Sequence, residues 1–291
     1  MLRPVYLQTG DRVALLSPSG YTTPEMVEKA ETLLESWGFV PVRTPHLLSR
    51  YGSLAGNLQE RTEDWQAVLN DDDICAIWCM TGDYGAFPLL EGGDYSIFQG
   101  NPKWLIGMGD ICVLHSKLNA LGIESLYACM PDNECPDAFM HLRDFLMGFV
   151  SSYLIAPHQL NRVGYAEAEI VGGMLNWIQA LQGTPMEYAR GSILFIEEYG
   201  KELSMVERNI LSLKYAGALT HLQGLIVGNM EGKEPDYKEQ AYRIIRDAVE
   251  EYHYPVCFGF PGGSSTVHRP LFLGTNSVFT VREEKATICF T

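Results

Sequence analysis

The chain has 291 residues and a formal net charge of −15, a length that accommodates one or two domains. Hydrophobic residues make up 46% of the sequence and charged residues 20%, which is typical of a soluble globular protein. The acidic balance argues against nucleic acid and anionic membranes as partners. No apolar run approaches the length of a membrane span, and the amino terminus lacks the apolar core of a signal peptide. These features predict a cytoplasmic protein.

The first half of the chain alternates predicted strands with predicted helices. Short apolar runs predict the strands, and capping residues and glycines bound the helices between them. The alternation predicts an α/β fold with a mostly parallel sheet, whose functional groups lie at the carboxyl ends of the strands. The predicted strands cover residues 12–17, 39–42, 74–80, 104–106 and 123–127.

Residues 151–168 are weakly patterned, and we interpret them as a linker between an N-terminal domain (1–150) and a C-terminal domain (169–291). The second half combines strands and helices with two or three antiparallel strands near its end, which predicts a mixed or barrel-like α/β domain. One of its strands delivers Glu197 at its end, and a glycine- and serine-rich loop follows at 261–268. We expect the cleft between the two domains to hold the functional site.

Residues 101–115 predict a strand that turns sharply into a helix. The strand is followed by Gly109 at the apex of the turn, and the helix opens at Asp110. In hydrolases the residue at such an apex is the nucleophile, and the adjacent helix N-terminus favours negative charge. Because glycine has no side chain, the sequence predicts a nucleophile elbow without a nucleophile.

Six sequence blocks, taken in order, resemble the LD-carboxypeptidase family of serine peptidases, which includes muramoyl-tetrapeptide carboxypeptidases and the microcin C self-immunity peptidase. Each block is weak by itself, but six in the same order are specific. The resemblance extends over about residues 10–274. The blocks are 13–20, 77–85, 101–110, the pair Gly172-Gly173, the strand that ends at Glu197, and 263–274.

The resemblance implies a Ser-His-Glu triad, in which the acid orients the histidine that moves the proton of the serine. The nucleophile position is Gly109, the histidine position aligns with Ser264, and the acid remains as Glu197. In the glycine-rich block the family's arginine is replaced by Thr81 and its second glycine by Asp83. The resemblance also implies a small peptide or muropeptide ligand, a homodimer and no cofactor.

Further candidate site residues flank the elbow. Backbone N–H groups of Gly82, Asp83 and Asp110 are candidates for an oxyanion hole, and Tyr84 is a candidate for the wall of the pocket. Ser17 either binds a substrate carboxylate or only forms a turn. The scattered cysteines predict no metal site.

Two functional hypotheses remain open. In the first, the protein is an LD-carboxypeptidase-like protein that binds or hydrolyses murein peptides but is impaired because Gly109 carries no nucleophile. In the second, it is an active hydrolase with relocated catalytic groups, which requires a serine or cysteine within hydrogen-bond reach of a histidine in the cleft, His268 first. A non-catalytic peptide- or amide-binding protein is a further alternative. Cys112 and His115 follow on the elbow helix and are expected to pack in the core.

Overall fold

The computed structural model describes residues 1–132, 135–185, 191–262 and 268–291. In the first half the elements are β1 (Arg12–Leu16), α1 (Pro24–Ser36), β2 (Val40–Arg43), α2 (Leu58–Asn70), β3 (Ile74–Cys79), α3 (Ile97–Gly100), β4 (Trp104–Gly107), α4 (Cys112–Ala120), β5 (Ser125–Tyr127) and α5 (Pro136–Leu146). Short 3-10 turns lie at Phe87–Leu90 and Gly109–Ile111.

In the second half the elements are β6 (Ser152–Ile155), β7 (Gly164–Met174), α6 (Leu175–Ala180), β8 (Ile193–Tyr199), α7 (Leu203–Tyr215), β9 (Gly224–Glu231), α8 (Tyr237–Ala248), β10 (Val256–Phe258), β11 (Leu271–Leu273), β12 (Asn276–Val281) and β13 (Ala286–Phe290). Over the described residues, no helix is long and apolar enough to cross a lipid bilayer.

The first sheet has the strand order β2-β1-β3-β4-β5-β11, and its first five strands are parallel. Helices α1 and α5 pack on one face, where Leu34 and Phe139 share a core with Trp78. Helices α2 and α4 pack on the other, where Trp65 and Leu114 join the core. The predicted parallel sheet is therefore confirmed, with helices on both faces as crossover connections require.

The second sheet has the order β10-β9-β8-β7-β12-β13-β6 and is mixed. Strands β7 to β10 are parallel, whereas β12, β13 and β6 are antiparallel. Helices α6, α7 and α8 cover one face. The other face packs against the first half, where Phe195 and Phe279 share a core with Tyr127. The predicted mixed α/β architecture is confirmed, and over the described residues neither sheet closes into a barrel.

Strand β11 belongs to the second half of the sequence but joins the first sheet. It pairs antiparallel with β5, with Leu271 opposite Tyr127. The two halves are therefore tied by backbone hydrogen bonds as well as by side-chain packing. The division into domains 1–150 and 169–291 stays a prediction.

Local capping explains where the first helices begin. The side chain of Thr23 accepts the backbone N–H of Met26, and Pro24 occupies the first turn of α1. At α2, Asn57 and Glu60 form a reciprocal capping box. Such side chains satisfy N–H groups that have no partner within the helix. Because α1 follows β1 and α2 follows β2, both helices begin on the side of the first sheet where its parallel strands end.

Candidate functional site

The carboxyl ends of strands from both sheets meet at the start of α4. Met174, the last residue of β7, donates its backbone N–H to Sγ of Cys112 at 3.2 Å. Tyr127, the last residue of β5, donates its hydroxyl hydrogen to Oε1 of Glu197 on β8. In parallel sheets this edge is where functional sites form, so this junction is the candidate site.

The elbow has the predicted strand–turn–helix geometry. Strand β4 ends at Gly107, Met108 is extended, and Gly109, with a φ of +70°, is the first residue of the 3-10 turn that leads into α4. A positive φ is unfavourable for residues other than glycine. The backbone at the apex is therefore turned as in a nucleophile elbow.

The space that a nucleophile would need at position 109 is filled by backbone. A Cβ on Gly109 would lie 1.9 Å from the carbonyl oxygen of Gly82 and 2.8 Å from its carbonyl carbon. A Cβ on Gly82 would in turn lie 2.1 Å from the carbonyl oxygen of Met108. Two loops thus pack backbone to backbone, and this conformation leaves no room for a serine side chain at the apex.

The same contact uses one of the candidate oxyanion-hole donors. Asp110 donates its backbone N–H to the carbonyl oxygen of Gly82 at 2.8 Å. An oxyanion hole requires N–H groups directed at the developing charge. The oxyanion role of Gly82, Asp83 and Asp110 therefore stays a prediction, and it requires the Gly82–Asp83 peptide to move.

The carboxyl group of Asp110 is buried and holds the neighbouring loop. Its Oδ2 accepts the backbone N–H of Ala86 at 2.8 Å. Burial raises the pKa of Asp110 to about 7, and the nearby charge of Asp83 adds to this, while Arg61 opposes it. Arg61 is itself buried and donates to the carbonyl oxygens of Gly56 at 2.7 Å and Gly85 at 3.4 Å. These hydrogen bonds fix the position of the loop around residues 82–86, which covers Gly109.

Glu197, the predicted acid, lies within the candidate site, where its carboxylate accepts a hydrogen bond from a tyrosine. It is buried, and Tyr127, also buried, donates to it. Burial and the adjacent Glu197 carboxylate raise the pKa of Tyr127 well above its usual value, so the phenol stays protonated. In this arrangement Tyr127 is a hydrogen-bond donor and not a nucleophile.

Strand β7 approaches the elbow helix closely because of Gly173. Its φ is +145°, and a Cβ there would lie 2.4 Å from Sγ of Cys112. Cys112 is buried, and burial raises the pKa of its thiol. A thiolate is the reactive form of cysteine, so Cys112 is a packing residue.

Ser264 and His268 are the two positions considered for the catalytic histidine, and the structure describes only the second. Ser264, which aligns with the family histidine, lies outside the described residues. His268 is fully buried, with its ring centroid 6.3 Å from that of Tyr127. Neither ring nitrogen of His268 has a hydrogen-bond partner among the described residues, and burial lowers its pKa to about 4. The His268 ring thus lies next to Tyr127, the tyrosine that donates a hydrogen bond to Glu197.

A serine–histidine pair exists, but it is inside the core. His115 Nδ1 lies 2.8 Å from Oγ of Ser125, and its Nε2 lies 3.1 Å from the carbonyl oxygen of Gly107. Because a carbonyl only accepts, Nε2 carries the hydrogen and Nδ1 accepts from the serine. Both side chains are fully buried, and burial lowers the pKa of His115 to about 4. The pair has the contacts of an activated serine without access to a substrate.

The predicted substrate-binding residues are divided between interior and surface. Ser17 is buried, and its hydroxyl has no hydrogen-bond partner in the described part of the chain. Gly82 and Asp110 are buried, whereas Asp83 is exposed and Tyr84 is 62% exposed. Asp83 and Tyr84 therefore lie at the mouth of the site.

Tyr127, Arg61 and Glu198 were not among the residues predicted for the site. Tyr127 could have been predicted, because it is the last residue of β5, the strand next to β4, and its side chain ends in a hydroxyl group. Glu198 is buried, and its carboxylate accepts the backbone N–H groups of Asn176 at 2.9 Å and Tyr199 at 3.2 Å. Burial raises its pKa to about 7. In the described ranges, no group of three or more His, Cys, Asp or Glu residues is placed to hold a metal ion.

Two family profiles identify the protein family of this chain. The profile of the LD-carboxypeptidase N-terminal domain matches residues 13–128, and that of the LD-carboxypeptidase C-terminal domain matches residues 167–278. The chain belongs to the LD-carboxypeptidase family. The resemblance inferred from the sequence blocks is thus confirmed.

Individual LD-carboxypeptidase relatives cover nearly the whole chain. The murein tetrapeptide carboxypeptidase of Pseudomonas aeruginosa is 27% identical over 286 residues, or 92% of each chain. A carboxypeptidase-like protein of Streptomyces coelicolor is 30% identical over 274 residues, covering 89% of this chain and 88% of the relative.

Two solved structures share the fold. The muramoyltetrapeptide carboxypeptidase of Oxalobacter formigenes superposes with a TM-score of 0.87 at 22% identity, covering 96% of this chain and 98% of that one. The microcin C7 self-immunity protein of Escherichia coli, in complex with aspartyl sulfamoyl adenosine, gives 0.85 at 19% identity, covering 99% and 98%. At these identities the superpositions establish the LD-carboxypeptidase fold alone.

Proposed function

We propose that this LD-carboxypeptidase family member binds murein-derived peptides in the cleft above the elbow and is severely impaired as a serine peptidase. The observation that carries the proposal is the contact between Gly82 and Gly109, which fills the nucleophile's place with a carbonyl oxygen. Losing the triad forfeits roughly 10⁴- to 10⁶-fold in rate. Any residual hydrolysis by the family mechanism is expected to be very slow.

The polar groups near the apex support this proposal. Glu197 accepts a hydrogen bond from Tyr127. The acid that would orient a histidine therefore already has a hydrogen-bond donor. The backbone N–H of Asp110 is committed to Gly82. Restoring the chemistry requires a nucleophile, a base and a movement of the Gly82–Asp83 peptide together.

The ligand class rests on the relatives. One relative acts on a murein tetrapeptide by its name, and another was solved with an aspartyl sulfamoyl nucleoside. Both ligands carry an amino-acid group at an amide or related linkage. A short murein peptide is therefore the ligand that we propose for this cleft.

The competing hypothesis is an active hydrolase with relocated groups, and one observation favours it. His268 lies beside Tyr127 with no hydrogen-bond partner for its ring among the described residues, and buried polar groups usually have one. In this hypothesis the His268 ring is the base of the relocated site. Against it, the ring is fully buried, and the serine–histidine pair of His115 and Ser125 is enclosed in the core.

The deciding experiment incubates the purified chain, at high concentration, with a muropeptide mixture and follows loss of the terminal D-residue by mass spectrometry. Calorimetry with an isolated murein tetrapeptide measures binding in parallel. We expect binding without cleavage. Cleavage by the native chain overturns the proposed impairment, and absence of binding overturns the proposed ligand.

Matched variants separate the missing nucleophile from the closed backbone. The double variant Gly109→Ser, Ser264→His restores both family residues, and Gly109→Ala, Ser264→His adds the same Cβ without a hydroxyl. Cleavage by the serine variant alone supports an ancestral pocket that lost its chemistry. Equal, measurable cleavage by both variants contradicts a role for position 109 as the missing nucleophile, whereas inactivity of both is the result expected if the Gly82 backbone stays closed on position 109.

We also propose that the protein acts in the cytoplasm as a homodimer, as the family resemblance implies. The chain keeps its seven cysteines as thiols, which is typical of reducing compartments. Cell fractionation and sedimentation analysis test the two statements separately, because recovery outside the cytoplasm contradicts one and a monomeric mass contradicts the other.

A further inference from the structure

A groove of about 310 Å³ lies between α6 and α7, two neighbouring helices on one face of the second sheet. Beneath it, Ile178 of α6 and Val206 and Ile210 of α7 share a buried apolar core. The opposite face of the same sheet packs against Tyr127 and the first half of the chain. The groove is therefore on the other side of the second sheet from the contact between Tyr127 and Glu197.

The residues that line the groove follow helical spacing on each of the two helices, so each set lies on one helix face. They are Asn176 and Gln179 of α6, and Met205, Arg208, Asn209 and Ser212 of α7. A helix face that packs against a neighbour is usually apolar, but only the methionine is apolar here. The two helices therefore meet, beside their shared core, through side chains that form hydrogen bonds.

These polar side chains are largely left unpaired by one another. Nε2 of Gln179 donates to Oγ of Ser212 at 3.4 Å, which is the one hydrogen bond between lining side chains that the described residues make. Asn209 is 5% exposed, and its side-chain amide has no hydrogen-bond partner among the described residues. Because Asn209 lines the groove, an occupant of the groove can supply the partner that a nearly buried amide requires.

Arg208 gives the groove a positive charge that no carboxylate balances. It is exposed, and it makes no ion pair or hydrogen bond within the part of the chain that the structure describes. None of the described lining residues is an aspartate or a glutamate. The nearby carboxylate of Glu198 accepts the backbone N–H groups of Asn176 and Tyr199 and does not line the groove. The groove therefore offers one free guanidinium beside neutral amide and hydroxyl groups.

We propose that this groove binds a small monocarboxylate. A guanidinium group matches a carboxylate through two parallel N–H···O hydrogen bonds, and the single charge of Arg208 balances one carboxylate. The amide of Asn209 and the hydroxyl of Ser212 bind a polar substituent next to it, and the flexible side chain of Met205 packs on an aliphatic carbon. The volume lies at the lower end of the range of small-molecule sites, about 300–1,000 Å³, so the ligand is small.

The test titrates the ¹⁵N-labelled full chain with N-acetylglycine and, separately, with N-acetylglycinamide, a neutral probe of nearly the same shape. We expect amide shifts in residues 175–180 and 203–213 with millimolar N-acetylglycine and none there with the neutral probe. Absence of these shifts, or equal shifts with both probes, overturns the proposal. Shifts only in residues 82–86 and 107–112 assign the carboxylate to the elbow and also overturn it. Tighter binding of inorganic phosphate than of N-acetylglycine contradicts the carboxylate as the ligand class.

Two exposed arginines provide matched variants. Arg208→Gln removes the guanidinium of the groove and is expected to weaken binding of N-acetylglycine about tenfold. Arg243→Gln removes an exposed arginine of α8 that does not line the groove, and it is expected to leave the affinity unchanged. Equal effects of the two variants overturn the proposal, because the loss then follows from the net charge of the protein and not from the groove.

Discussion

Tyr127 donates its hydroxyl hydrogen to Glu197, and this bond joins the last residue of β5 in the first sheet to β8 in the second. Both side chains are buried, so water cannot readily replace the donor. A hydrogen bond to a charged group contributes more than one between neutral groups. The pair therefore stabilises the contact between the two sheets at the site.

Tyr127→Phe is expected to lower the free energy of unfolding by about 1.5–3 kcal/mol, because it removes a donor to a buried carboxylate. Tyr242→Phe is the control, since the buried Tyr242 donates to the neutral carbonyl oxygen of Gly228 at 2.9 Å. That loss is expected to be about 0.5–1.5 kcal/mol. Urea unfolding measures both, and an equal or smaller loss for Tyr127→Phe contradicts the assigned charge-assisted bond.

Position 109 provides a second stability test. Gly109→Ala is expected to lose about 1–2 kcal/mol for the positive φ and about 1–3 kcal/mol more for the clash with Gly82. Gly10→Ala is the matched control, because Gly10 has a φ of +96° and nothing within 4 Å of a Cβ. Thermal or urea unfolding of the two variants isolates the clash. Equal losses of unfolding free energy mean that the Gly82 loop moves away from the added Cβ at little cost in stability.

The elbow was predictable because strand, glycine and helix start are contiguous in the sequence. The closure of Gly82 on Gly109 was not, since a glycine in the sequence does not indicate which other segment its backbone approaches. Likewise β11 has three residues, and nothing local indicates that it pairs with β5. The burial of His268 beside Tyr127 depends on this long-range pairing, so sequence spacing alone could not assign its place.

Asp110 is expected to make stability depend on pH. Its pKa is about 7 in the folded protein against a usual value of 3.8, so between about pH 4 and pH 7 the folded state binds more protons than the unfolded state. Its contribution to stability is therefore present at low pH and is lost as the pH rises through 7. The slope is at most about 1.4 kcal/mol per pH unit.

Asp110→Asn isolates this effect, because the amide keeps an acceptor for the N–H of Ala86 and does not titrate. Relative to the native chain, the variant is expected to gain stability from pH 4 to pH 7 and to show a constant difference above pH 8. His115 and His268 oppose the trend at acidic pH, but they are common to both proteins. Glu283→Gln, at an exposed carboxylate, is the control, and a pH-independent difference for Asp110→Asn contradicts the prediction.

Thiol labelling tests whether a cysteine has taken over as nucleophile. A relocated catalytic cysteine must be accessible and have a lowered pKa, whereas burial raises the pKa of Cys112. With iodoacetamide and peptide mass spectrometry, the exposed Cys289 is expected to react first and the half-buried Cys75 and Cys135 more slowly. The buried thiols are expected to react only after denaturation. They are Cys79, Cys112, Cys129 and Cys257.

The control for this labelling is the unfolded chain, in which all seven thiols are expected to react at similar rates. Cys79 is the internal reference for Cys112, because both are fully buried and burial raises the pKa of both. If Cys112 alone among the buried thiols reacts in the native state, the elbow opens transiently and presents a thiol beside Glu197. That result would favour the relocated hydrolase over the impaired binding protein. Equal protection of Cys79 and Cys112 removes cysteine from the candidate nucleophiles at the elbow.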